Sequence, residues 1–183
     1  MTALDRAEAT DVDFQACQIL CLDLPPEMPA VRVVHELDGV ASPVRPARLL
    51  EVGHAMWSQW TADPEHDKPE VLLGLEGDGI VPTLALSLAS GLPYHLAWRL
   101  NQSRLPSPRG AELFTYNQLA GTRVLVVDAA LSDSHMIASL VGVLREEGAT
   151  VVGVACLSED PAGVGRRVVE AAGVPMTALA YTR

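Results

Sequence analysis

Lysine is almost absent from this chain of 183 residues: Lys68 stands alone beside twelve arginines. That leaves no good candidate for a Schiff-base lysine or a lysine-built phosphate site, and the bias towards arginine is that of a GC-rich bacterial genome. Positive charge as a whole is scarce, with 13 Lys and Arg against 23 Asp and Glu and a formal net charge of −10. Nucleic-acid backbones and anionic membrane surfaces need clustered cations, so neither is an expected partner. Cysteine is limited to Cys17, Cys21 and Cys156, an odd number without metal-ligand spacing. Cys17 and Cys21 would share one face of a helix, but two thiols alone make a poor zinc site. No metal site is expected, and reduced, buried thiols in a cytoplasmic protein are the reading adopted. Long apolar runs are missing too. The longest, Gly79 to Trp98, contains Pro82, Pro93 and His95 and reads as helix plus strand, not as a membrane span. The first residues, Met-Thr-Ala-Leu-Asp-Arg-Ala-Glu, have no basic segment followed by an apolar core, so no signal peptide is expected.

What the chain does have is a regular alternation of apolar strands and helices. Its 49% hydrophobic and 20% charged residues are those of a folded globule, and 183 residues suffice for one domain with its own core. Residues 1–45 read as a lead-in, with Val31–Val34 as a short strand and a turn at Asp38-Gly39. A helix follows Pro46, with Leu49, Val52, Met56 and Trp60 on its apolar stripe and Asp63-Pro64 ending it. Trp57 and Trp60 are expected in the core. From there strands are expected at Val71–Leu75, Tyr94–Trp98, Arg123–Asp128, Val151–Leu157 and Met176–Tyr181, and helices at Gly79–Ser90, from Ser134, and at Gly163–Ala172. Strands that are apolar throughout and alternate with helices predict a doubly wound α/β fold, its mostly parallel sheet covered on both faces. Ligands of such sheets bind beyond the strands' carboxyl ends, so the loops after Leu75, Trp98 and Asp128 are the ones to search.

The most informative stretch is Val124-Leu-Val-Val-Asp128-Ala-Ala-Leu-Ser-Asp-Ser-His-Met136, a buried strand closed by an acid and followed by a turn and a helix. Its outline resembles the phosphoribosyl-pyrophosphate (PRPP) motif of type I phosphoribosyltransferases, in which the strand runs into two acids and then a Thr-Gly-Gly-Thr-like turn. Two further segments resemble that family in the same order. Gly74-Leu-Glu-Gly-Asp-Gly79 is similar to its pyrophosphate loop, and 99–121, with Arg104-Leu-Pro, to its mobile catalytic loop. Gly148 to Leu157 resembles the following core strand, and Val31–Arg45 occupies the hood that helps choose the acceptor base. The resemblance spans roughly residues 70–181 and is closest to the adenine and orotate branches. It implies a single domain, 1–183, with a lead-in and hood (1–45), an α/β core (46–183) and a mobile loop (99–121). It also implies a homodimer, a small-molecule substrate, and PRPP with magnesium.

The loop residues depart from the family pattern. Only the first acid is present, as Asp128, with Ala129 in the second place, and the turn reads Asp133-Ser-His-Met136. A phosphate loop works by pointing backbone N–H groups and a helix N-terminus at the anion. A carboxylate within about 4 Å of a phosphate oxygen would cost on the order of 4 kcal/mol at an effective dielectric near 20, and Asp133 and Asp78 place one in each anion loop. The motif is therefore read as degenerate. The leading expectation is a phosphoribosyltransferase-fold enzyme of bacterial specialised metabolism that works without PRPP or any other cofactor. Glu76, Asp78, Asp128, Asp133 and His135 are the expected acid–base group, and Ser132, Ser134, Arg99, Arg104, Arg109 and Tyr116 the substrate-binding one. A divergent PRPP-dependent transferase is the alternative, with Asp128 on the ribose, Ser132 and Ser134 on the 5′-phosphate and Arg104 on pyrophosphate. A non-catalytic ligand sensor or partner protein is the third reading. Local readings stand beside these: Asp133 and Asp78 as helix caps, His135 as a structural or solvent-facing residue.

Overall fold

A computed structural model of the chain describes residues 18–21, 35–40, 42–99, 112–115, 119–131, 134–159, 162 and 164–181. The expected strand Val31–Val34 lies outside them. In chain order the elements are β1 (Gln18–Cys21), α1 (Pro46–Thr61), β2 (Val71–Leu75), a 3₁₀ turn (Gly77–Gly79), α2 (Ile80–Ser90), β3 (Tyr94–Arg99) and β4 (Glu112–Thr115). They continue with β5 (Arg123–Ala130), α3 (Ser134–Glu146), β6 (Thr150–Glu159), α4 (Val164–Ala171) and β7 (Met176–Tyr181).

The strands form one sheet in the order β1-β4-β3-β2-β5-β6-β7. The five from β3 to β7 in that order are parallel, and β4 and β1 add an antiparallel edge. From β2 the chain goes one way to β3 through α2 and later returns to β5 on the other side of β2. Strand order therefore reverses between β2 and β5, where a crevice opens at the carboxyl edge. Both faces of the central strands are buried because successive residues point to opposite sides. Val71, Leu73, Leu75, Val124 and Val126 join the core under α3 and α4, while Leu72, Leu125 and Val127 join the core under α1 and α2, with Met56 and Trp60. Trp57 packs at that core's margin.

Close approaches replace side chains at three glycines. A Cβ on Gly53 of α1 would fall 2.1 Å from the Ala85 carbonyl oxygen of α2, and one on Gly153 of β6 would fall 2.3 Å from the Trp60 indole. One on Gly74 of β2 would fall 2.2 Å from Thr83 Oγ1. Helix α1, α2 and the sheet are thus in backbone contact, which fixes where α2 begins.

Two strands differ from the sequence expectation. β1 falls in the lead-in and β4 inside the expected mobile loop 99–121. Four residues each, on an antiparallel edge, they carry no long apolar run to reveal them. Cys21 lies in β1 and not on a helix, so the shared helix face with Cys17 does not exist; Cys17 itself lies outside the described residues. β5 and β6 run on to Ala130 and Glu159 because pairing continues through Ala130–Ser158 and Glu159–Tyr181.

Gly53→Ala is expected to lower stability by about 1–2 kcal/mol, since overpacking costs more than the roughly 1 kcal/mol that alanine adds to a helix. Gly142→Ala, in α3 with nothing near its Cβ, should instead raise stability by about 0.5–1 kcal/mol. Urea unfolding midpoints at constant slope check both.

Candidate active site

The crevice is bounded by the turn after β2 and the end of β5. Glu76 leaves β2 with its backbone N–H donating to the Ala97 carbonyl at 2.9 Å, which ties the turn to β3. Gly77 follows with φ +78 and open space around it, a left-handed residue that favours glycine. Asp78 is half-buried and Gly79 buried. Thr83, fully buried in the first turns of α2, donates its hydroxyl to the Gly79 carbonyl at 2.7 Å.

Gly79 has an ordinary φ of −77, so its importance is spatial. A Cβ there would lie 3.1 Å from the Val127 carbonyl oxygen and 3.2 Å from Asp128 Oδ1. The turn's backbone therefore rests directly on the end of β5. Asp128 is partly buried, and its Oδ1 accepts the Ala129 N–H at 2.8 Å. Beyond it Ala129, Ala130 and Leu131 are buried. A Cβ on Gly165 of α4 would lie 2.9 Å from Leu131 Cβ, so α4 packs closely against the entry to the next turn.

Of the expected site residues, Glu76 and Asp78 belong to the turn whose last residue, Gly79, rests on Asp128. Ser134 opens α3, and His135 in its first turn is exposed. Arg99 ends β3. Ser132, Asp133, Arg104, Arg109 and Tyr116 lie outside the described residues. Three readings need correction. Met136 is 5% exposed within the core under α3, so its bulk is not in the anion turn. Ala129 packs in the core under α1 and α2, so the second place of the motif faces inward and not into the crevice. Asp78 is not the cap of α2, whose N-cap is Gly79 with no side-chain bond. Sequence reasoning placed Gly79 in the pyrophosphate-loop segment but missed Thr83; the one available signal was a Thr four residues after a Gly at a helix start, the spacing of a back-bond to the carbonyl.

A second charged group lies one strand away. Glu159 at the end of β6 is buried and accepts two N–H groups of Arg166, at 2.7 and 3.0 Å. Cys156, in register with Asp128, is enclosed between them. Burial pushes its thiol well above the usual range, and the negative charges of Asp128 and Glu159 push it further. Among the described residues no cluster of three or more His, Cys, Asp or Glu is placed to hold a metal ion.

Solved structures with this architecture are phosphoribosyltransferases. Adenine phosphoribosyltransferase from Thermoanaerobacter pseudethanolicus matches with a TM-score of 0.58 at 17% identity, over 75% of this chain and 83% of that one. Orotate phosphoribosyltransferase from Mycobacterium tuberculosis, in complex with PRPP, matches with a TM-score of 0.55 at 23% identity, over 73% of each chain. The fold is that of the phosphoribosyltransferases. No family model matches the chain. Among curated proteins, the xanthine phosphoribosyltransferase of Deinococcus deserti is 31% identical over 127 residues, 62% of this chain and 66% of that protein. The enzyme of the same name from Oenococcus oeni is 26% identical over 152 residues, 75% of this chain and 71% of that protein. The matches thus span about two thirds of these relatives' length. The chain belongs to the type I phosphoribosyltransferase family.

These relatives overturn the expectation of a PRPP-independent enzyme of specialised metabolism and favour the PRPP-dependent alternative; they lend no support to a degenerate motif. The repulsion argument rested on the carboxylates of Asp133, which lies outside the described residues, and of Asp78; the bulk expected from His135 and Met136 was a separate part of that reading. Met136 is in the core instead, and His135 sits exposed on the helix.

Native protein should leave Cys156 unmodified by iodoacetamide at pH 8, while 6 M guanidinium exposes it to labelling within minutes. Peptide mass mapping reads the result, and rapid native labelling of Cys156 would contradict the burial described.

Proposed function

We propose that this protein is a PRPP-dependent phosphoribosyltransferase acting on a purine base, with xanthine as the first acceptor to test. The observation that carries the reading is the contact of the Gly79 backbone with Asp128 at the strand-order reversal. It brings a glycine-bearing turn and an acid-ended strand together, and the names of the curated relatives point the same way. In this reading Asp128 accepts hydrogen bonds from the ribose hydroxyls. The backbone N–H groups entering α3, with the hydroxyls of Ser132 and Ser134, hold the 5′-phosphate. The turn from Glu76 to Gly79 receives the pyrophosphate. Arg99, Arg104, Arg109 and Tyr116 belong to the segment that closes over the ligand and excludes water.

Magnesium fits this donor set. It is commonly bound through one or two carboxylates together with substrate phosphates and water, and Asp128 at the end of β5 is the carboxylate that would take that part; when bound it would neutralise charge on the leaving pyrophosphate. Transfer forms the bond from a ring nitrogen of the base to C1 of the ribose as the bond from C1 to pyrophosphate breaks. The chain's contribution is alignment: Asp128 fixes the sugar, and the two turns fix its two anionic ends. The reading also carries a cytoplasmic homodimer. The partly exposed Leu88, Tyr94 and Trp98 supply apolar surface for a partner copy, and sedimentation would test the state. Among the described residues no helix is long and apolar enough to cross a membrane.

With PRPP, magnesium and xanthine the protein should release pyrophosphate and form the xanthine nucleotide. Asp128→Asn should lower kcat/KM about 100-fold, roughly 2.7 kcal/mol, the scale of a lost charged hydrogen bond. Absence of pyrophosphate release with xanthine, hypoxanthine and guanine alike would reject the reading and favour a non-catalytic protein.

A further inference from the structure

The carboxyl end of β6 carries a pair of charges that the transfer reaction described above does not use. Glu159 is 4% exposed, and its two carboxylate oxygens accept N–H groups of Arg166 at 2.7 and 3.0 Å. Arg166 also donates to the Met176 carbonyl at 2.9 Å and lies 3.6 Å from the Glu170 carboxylate. One arginine in the first turn of α4 thus reaches β6, β7 and its own helix. A buried carboxylate is tolerated only while it is paired and hydrogen-bonded, so the pair holds the start of α4 against the sheet. The other end of α4 is held separately, by Arg145 of α3, which donates to the carbonyls of Ala172 and Gly173 at 2.6 and 2.9 Å. Helix α4 is therefore fastened to the sheet at one end and to α3 at the other.

This fastening reaches the path from β5 into α3. A Cβ on Gly165, the residue beside Arg166, would fall 2.9 Å from Leu131 Cβ and 3.2 Å from the Leu131 carbonyl oxygen. Leu131, Met136 and Val169 share one core, so the end of β5, the start of α3 and α4 pack together. An interior with few voids passes a shift of α4 on to Leu131. The charges bear on the same place. Cys156 lies in register with Asp128, and the negative charges of Asp128 and Glu159 both act on its thiol. Two carboxylates thus act together at the edge that receives a polyanion in the transferase reading, and Arg166 neutralises the second of them. The turn from Gly77 to Gly79 is held differently, through Thr83 of α2, from the helix layer on the opposite face of the sheet. The two ends of the crevice have separate supports.

We propose that Glu159 and Arg166 are positioning residues for the sugar-phosphate end of the substrate: the pair sets α4, and α4 through Gly165 sets where β5 turns into α3. Their role rests on the transferase reading, in which that turn holds the 5′-phosphate. The test is calorimetry on the full chain with two probes, ribose 5-phosphate for this end and pyrophosphate with magnesium for the other. Two variants reach the same device by different routes. Glu159→Met combined with Arg166→Leu removes both charges at once. Such a replacement leaves no unpaired buried charge and is often neutral for stability, so the urea midpoint should stay near that of wild type. Gly165→Ala keeps the pair and crowds Leu131. Both variants should weaken ribose 5-phosphate binding about tenfold and leave pyrophosphate binding unchanged. Where wild type binds both probes, unchanged ribose 5-phosphate binding in Gly165→Ala or in the folded double variant overturns the proposal and leaves the transferase reading standing. An equal loss of both probes also overturns it, since that marks a general loosening of the fold. Wild type that binds neither probe removes the transferase reading, and this proposal with it.

Discussion

The crevice depends on one short stack of contacts: Gly74, Thr83, Gly79, Asp128. Thr83 occupies the volume that a side chain on Gly74 would need, and its hydroxyl then reaches the Gly79 carbonyl. That bond holds the last residue of the 3₁₀ turn, and the turn lays Gly79 against the carboxylate of Asp128. Remove the space at Gly74 and α2 moves out; remove the space at Gly79 and β5's acid moves instead. A rigid interior transmits such shifts because it has few voids to absorb them. The position of the one acid shared with the family pattern is therefore set by residues that carry no charge.

The charges of Asp133 and Asp78 led the sequence reading away from PRPP, and the bulk of His135 and Met136 was counted with them. A carboxylate counts against an anion only at the distance where Coulomb energy outweighs screening and fixed donors. The sequence gives composition of a turn, not direction, and a helix that starts at Ser134 rotates successive side chains by about 100°. Met136 turns into the core on that rotation while His135 turns out to solvent. A crowded-looking turn thus has fewer side chains in it than its letters suggest. The backbone N–H groups that an anion uses are present whatever those letters are.

The five parallel strands and four helices were legible because buried strands leave unbroken apolar runs and helices leave a stripe, as Leu49, Val52, Met56 and Trp60 do. Asp128 was legible as the acid that ends such a run. β1 and β4 were not, since a strand of four residues is too short to carry a hydrophobic pattern that reveals it. Thr83 was hidden, and so was the spatial role of Gly79: their roles are contacts across the fold, and a glycine required for space looks the same in sequence as one required for a turn.

The far wall of the crevice is braced in the same manner as the near one. Glu159 ends β6 in a buried position and takes both hydrogen bonds from Arg166, which also donates to the Met176 carbonyl. A buried carboxylate is tolerable only when paired and fully hydrogen-bonded, so this arginine, and with it α4, is held at the sheet. Gly165 precedes Arg166 and packs against Leu131, the residue that leads into the anion turn. Helix α2 through Gly79 and helix α4 through Gly165 therefore press on β5 from its two ends of contact, at Asp128 and at Leu131. Both points are glycines where a side chain would crowd the strand end, at 2.9 Å from Leu131 Cβ for Gly165 and 3.1 Å from the Val127 carbonyl for Gly79. What lies between them, residues 128 to 131, is buried or half-buried. Any ligand seated beyond that segment meets an edge whose geometry was fixed before it arrived.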